Sequence, residues 1–70
     1  MEQTLTFSKN LKILRKEKNL NQQQLALLVG VSQQCISEWE NGKIEPTLSY
    51  LWKLADIFEI SVDELICRVY

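Results

Sequence analysis

Histidine is absent from this chain, and only two cysteines, two glycines and one proline occur among its 70 residues. A zinc site needs about four ligands, so Cys35 and Cys67, far apart and without a CxxC pair, do not suggest one. One disulfide is formally open, but reduced thiols are the expectation for a cytosolic chain. No apolar run approaches the ~20 residues of a membrane span. The opening MEQTLTF lacks the basic and apolar regions of a signal peptide, so the chain is expected in the cytoplasm. Enzyme chemistry finds little to work with. No nucleophile stands beside a base, and neither a glycine-rich phosphate loop nor a metal constellation is present. No cofactor, small-molecule ligand, ligand-binding domain or membrane partner is expected.

An excess of basic charge is also missing, since the formal net charge is -1. Its distribution is uneven. In residues 1–35, Lys9, Lys12, Arg15, Lys16 and Lys18 stand against Glu2 and Glu17, whereas acids outnumber bases in residues 36–70. Such asymmetry suits a molecule with one end toward phosphate and the other away. A solvated first helix would show the same lysines.

What the chain does have is helical pattern. Apolar residues make up 46% of it, enough for one small domain, residues 1–70 with a core over 7–66. A chain this size buries only about 60% of its unfolded surface, so the core must be compact. Met1–Thr6 reads as a frayed arm, with Thr6 or Ser8 as a helix cap. Phe7, Leu11 and Leu14 then form the buried stripe of a helix over 7–18, and Leu20 points inward from the turn after it. Pro46 disfavours helix at Glu45, so 43–46 is a loop. Thr47 caps a helix over 48–59 with Leu48, Leu51, Leu54, Ala55 and Phe58 as its core stripe. Tyr50 and Trp52 fall off that stripe, so at least one of them should be partly exposed. Ser61 and Glu64 form a capping box for a short helix over 62–67. Nothing alternates with period two, so no sheet is expected.

The stretch NQQQLALLVGVSQQCISEWENG, residues 21–42, organises the rest. Asn21 and Gln24 form a capping box, and Leu25, Ala26 and Val29 recur at helical spacing. Gly30 stands where the helix must stop at a positive φ. Ser32 caps a second helix with Ile36 and Trp39 inward, which Asn41-Gly42 closes. Ala26 is small where the two helices would cross. Cys35 is expected to be a small, half-buried residue of the second helix. Two helices across such a turn make a helix-turn-helix.

LNQQQLALLVGVSQQCISEWENGK, followed by PTLSYLWKLADIFEISVDEL, resembles the phage repressor and Cro family, which includes small bacterial regulators of the xenobiotic-response-element type. The resemblance runs from about Phe7 to Leu65. It implies an all-α, five-helix, phage-repressor-like DNA-binding domain. It also implies that Gln33, Gln34 and Glu38 sit where such proteins read bases, and Gln22, Ser32, Asn41 and Lys43 where they hold the sugar-phosphate backbone. Arg15 and Glu40 match a pair bridging the first helix to the end of the third inside the domain.

The chemistry of these residue types agrees. Glutamine can pair with adenine N6 and N7, and a carboxylate can accept from cytosine N4. Glu38 otherwise reads as a solvent-facing acid that screens wrong sites. Trp39 reads as a packing residue. Leu27 and Leu28 depart from the family's polar outer face; they would cover the N-terminal arm through Leu5 or form a contact patch. Ile57, Val62, Ile66, Val69 and Tyr70 exceed what a core this small hides, which suggests a homodimer interface. The leading expectation is a sequence-specific transcription regulator on double-stranded DNA, in the sense of a repressor at a two-fold operator. The alternative is an antitoxin-like protein-interaction subunit on the same fold.

Overall fold

The computed structural model describes the backbone of residues 3–67 and the side chains of residues 7–66. Five helices follow one another: α1 (Gln3–Glu17), α2 (Gln22–Val29), α3 (Gln33–Glu40), α4 (Leu48–Phe58) and α5 (Val62–Cys67). No strand occurs among the described residues. The protein is all-α.

α1 starts well before Phe7, so the expected arm at 1–6 is helical from Gln3 onward. Ser8 therefore does not cap it. This residue is buried inside the helix, where its hydroxyl donates to the Trp39 carbonyl at 2.7 Å. Two further polar groups of α1 are buried by the same logic. Asn10 Nδ2 donates to the Leu65 carbonyl of α5 at 3.1 Å, and Arg15 reaches α3. A buried polar group left unbonded costs a few kcal/mol, and these three instead pin α1 to its neighbours. Around them Phe7, Leu11 and Leu14 meet Leu25 and Val29 of α2, Ile36 and Trp39 of α3, Leu54 and Phe58 of α4, and Leu65 of α5.

Two expectations about α4 change. Leu48, although spaced with Leu51 and Leu54, is 56% exposed, because the inward face of α4 runs through Tyr50, Leu51, Leu54, Ala55 and Phe58 instead. Thr47 occupies the N-cap position with extended backbone but makes no side-chain cap bond. Of the off-stripe aromatics, Trp52 is 58% exposed, while Tyr50 is half-buried with its ring 5.5 Å from that of Trp39. Helix α4 stops at Glu59, which takes a left-handed φ of 60°. The capping box at α5 is present: Glu64 N donates to Ser61 Oγ at 3.0 Å, and Ser61 N to Glu64 Oε1 at 3.1 Å.

The turn after α2 depends on backbone conformation. Gly30 has φ +91°, and the amides of Gly30 and Val31 both donate to the Ala26 carbonyl, at 2.8 and 3.0 Å. From α4, Lys53 Nζ donates to the Val29 carbonyl at 3.0 Å, covering a helix-end acceptor that the turn leaves open. A Cβ on Gly30 would find only Lys53 Nζ nearby, at 3.7 Å, an ordinary contact. The cost of Gly30→Ala is thus conformational, about 1–2 kcal/mol. Thermal unfolding should show a midpoint lower by roughly 5–10 °C. Asparagine, which tolerates this region better, should lose less.

Candidate nucleic-acid interface

α2 and α3 are joined by Gly30, Val31 and Ser32; α3 packs against α1 and α2, and α2 against α3 and α4. Asn21 Oδ1 accepts from Gln24 N at 2.7 Å and Gln24 Oε1 from Asn21 N at 2.8 Å, so the capping box that opens α2 is closed on both sides. Ser32 Oγ accepts from Cys35 N at 3.1 Å and starts α3. The buried side of α3 holds Ile36 and Trp39, both almost fully enclosed. With that side locked, the other is turned to solvent.

Gln33 and Gln34 stand exposed on the first turn of α3, beside exposed Ser32. Glu38 lies one turn further along and is half-buried, with Gln34 Nε2 3.4 Å from its Oε2. Asn41 and Lys43 are exposed just past the end of the helix. Asn41 Nδ2 reaches Ser37 Oγ at 3.4 Å, and the amide of exposed Lys43 donates to the Glu38 carbonyl at 2.9 Å. Six of the seven residues expected at a DNA surface thus form one continuous strip along α3 and its two ends.

Gln22 is the exception in part. It is half-buried at the start of α2, and its Nε2 donates inward to Glu40 Oε1 at 3.0 Å. One amide hydrogen remains for another acceptor. Glu40 is itself gripped by Arg15, whose Nε and Nη2 donate to its two oxygens at 2.6 and 3.1 Å, with the side chains 9% and 3% exposed. Arg15 Nη1 donates to the Leu20 carbonyl at 2.8 Å. One bidentate pair therefore ties together α1, the turn that follows it, α2 and α3 (a fork that lysine could not supply). Nothing in the sequence pointed to Gln22, Ser8, Asn10 or Lys53 as members of these clamps, because their partners are distant along the chain.

Cys35 lies half-buried on α3 with a free thiol. Burial, and secondly the charge of Glu38, pushes its pKa up, so it stays a protonated thiol at neutral pH. Of the apolar residues expected to lie on an interface, Ile57, Val62 and Ile66 are half-buried against the core, and Val69 and Tyr70 fall outside the described residues. Leu27 and Leu28 are 77% and 56% exposed, and the expected contact of these two with the N-terminal arm through Leu5 falls on residues whose side chains lie outside those described.

Residues 11–65 match the helix-turn-helix family. The chain belongs to that family. Among its relatives, the transcriptional activator BcrR of Enterococcus faecalis is 40% identical over 62 residues, covering 89% of this chain and 30% of that protein. Among solved structures, the restriction-modification controller protein C.AhdI of Aeromonas hydrophila superposes with a TM-score of 0.81 at 32% identity, covering 89% of this chain and 94% of that one. The fold is not confined to regulators. Hydroxypropylphosphonic acid epoxidase from S. wedmorenis, an enzyme, contains it with a TM-score of 0.82 at 30% identity, over 90% of this chain and 34% of its own. The chain spans between 30% and 56% of the first three curated relatives. No helix among the described residues is long and apolar enough to cross a membrane.

Proposed function

We propose that this protein is a sequence-specific DNA-binding transcription regulator that inserts α3 into the major groove. The observation that carries the reading is the exposure of Gln33 and Gln34 on the first turn of a helix whose opposite face is fixed by Ile36 and Trp39. A major groove admits a helix, and two amide side chains at its tip can each pair with a base edge. Ser32, Asn41, Lys43 and the remaining amide hydrogen of Gln22 would hold the sugar-phosphate backbone, which sets register without reading sequence. Regulation follows from occupancy: a module seated on an operator excludes polymerase, the repressor mode. The relative named as an activator shows that a helix-turn-helix protein can also act with the opposite sign. The chemistry is binding, with no cofactor and no catalysis, in the cytoplasm where the DNA lies.

One module of this size reads a few base pairs, so specificity calls for a pair of modules. Half-sites of a two-fold operator lie about 34 Å apart. The longest extent of the protein is 29 Å, so two copies side by side span that spacing. A homodimer through the α5 end, with Ile57, Val62, Ile66, Val69 and Tyr70, would bring the two α3 helices onto one face of the duplex. Sedimentation with and without operator should give a dimer, and a monomer in both would remove this part of the reading.

Selection of duplexes from a random pool tests the main reading. A palindromic motif should emerge, and its affinity should drop at least ~tenfold between ~50 and ~200 mM salt as counterions are released. Failure to enrich any sequence would reject it. A second reading rests on exposed Leu27 and Leu28, a surface on which an antitoxin-like subunit could hold a protein partner. Capture of a stoichiometric protein partner, without DNA preference, would favour that reading.

A further inference from the structure

Helix α3 carries no lysine or arginine, and its solvent side ends in an acid. Guanine offers only acceptors, O6 and N7, to the groove, and its usual partner is an arginine or lysine. The hydrogen-bonding capacity of α3 therefore leans toward bases that donate. We propose that Gln34 and Glu38 act as one reading unit and that this unit specifies cytosine. The proposal rests on the DNA-binding reading and deepens it.

Three observations carry it. Gln34 and Glu38 are one helical turn apart on the same face, and the amide nitrogen of Gln34 approaches Glu38 Oε2 at 3.4 Å. That long contact turns the Gln34 amide nitrogen toward the carboxylate and steadies it, leaving the second Glu38 oxygen as the acceptor for a ligand. The backbone under Glu38 is held in place, since its carbonyl accepts from Lys43 N at 2.9 Å. An acceptor braced in this way calls for an exocyclic amine, whose one hydrogen not used in base pairing faces the groove.

Both cytosine N4 and adenine N6 supply one, and lone pairs separate them. Across an A·T pair the donor is flanked on either side by an acceptor, adenine N7 and thymine O4. Across a C·G pair the cytosine amine has an acceptor only on the guanine side, with the C5–H edge on the other. A carboxylate approaching from that edge meets no lone pair, whereas at adenine it meets one from either direction. Cytosine is thus the base that offsets the repulsion of a charged acid brought into a polyanion's groove.

The test is duplex selection with the parent protein, Glu38→Gln and Gln34→Ala. The parent should enrich C·G at one position in each half-site, with about tenfold preference. With Glu38→Gln that position should switch toward A·T, because an amide both donates to N7 and accepts from N6. Gln34→Ala should weaken the preference at the same cytosine by several-fold. A uniform gain in affinity for all duplexes with Glu38→Gln would show a merely repulsive acid and overturn the proposal. An unaltered cytosine preference in Gln34→Ala would overturn the shared unit. Loss of all enrichment already in the parent would instead reject the DNA-binding reading itself.

Discussion

Arg15→Met should lower the stability of this protein by about 3–5 kcal/mol, the cost of leaving a buried carboxylate without its partner. The change strips Glu40 of the guanidinium that donates to both its oxygens, and also frees the Leu20 carbonyl. Only the neutral amide of Gln22 would remain on Glu40. For a domain of this length such a loss corresponds to a fall of roughly 15 °C or more in the thermal midpoint. Sequence preference in whatever fraction remains folded should be unchanged, since Arg15 does not face the α3 strip. The decisive companion is Arg15→Met with Glu40→Leu. Removing both charges should recover much of the stability, because the destabilising feature of the single variant is the orphaned acid and not the missing attraction. Equal midpoints for parent and Arg15→Met would refute this account.

Replacing Gln33 and Gln34 together with alanine should remove most of the sequence preference while leaving the fold intact. Both side chains are exposed, neither touches the core, and alanine has the higher helix propensity. Circular dichroism and thermal midpoint should therefore match the parent. If each amide pairs with a base edge, the pair accounts for roughly 2–6 kcal/mol of discrimination per half-site. The ratio of operator to random-duplex affinity should then fall at least ~thirtyfold. Residual salt-dependent binding to any duplex should persist, because Lys43 and the backbone amides remain. A variant that keeps the parent's preference would place base reading elsewhere on the surface.

These two experiments probe different layers of the molecule, and the layers differ in how readable they were. The helix-turn-helix was legible because each of its parts is a local event. Asn21 with Gln24, Gly30 with its positive φ, and Ser32 with Cys35 all close within a few residues. The buried stripes of α1, α2 and α3 followed from periodicity, which needs no knowledge of the partner. Local pattern served less well at the ends of elements. Leu48 has the spacing of a core residue, yet Tyr50 and Leu51 of the same turn take the inward side and leave it exposed. Ser8 has the chemistry of a cap, yet α1 starts before it and encloses it.

By itself, then, the amino-acid sequence determined the helices, their stops and which faces turn inward, since those depend on residues within one or two turns of each other. Only the tertiary structure decided who satisfies whom across the core. It sends Asn10 to Leu65, Lys53 to Val29, Ser8 to Trp39 and Gln22 to Glu40, contacts between groups far apart in the chain. A hydrogen bond is specified by an ångström-scale meeting of two atoms. That meeting exists only after five helices have been set against one another.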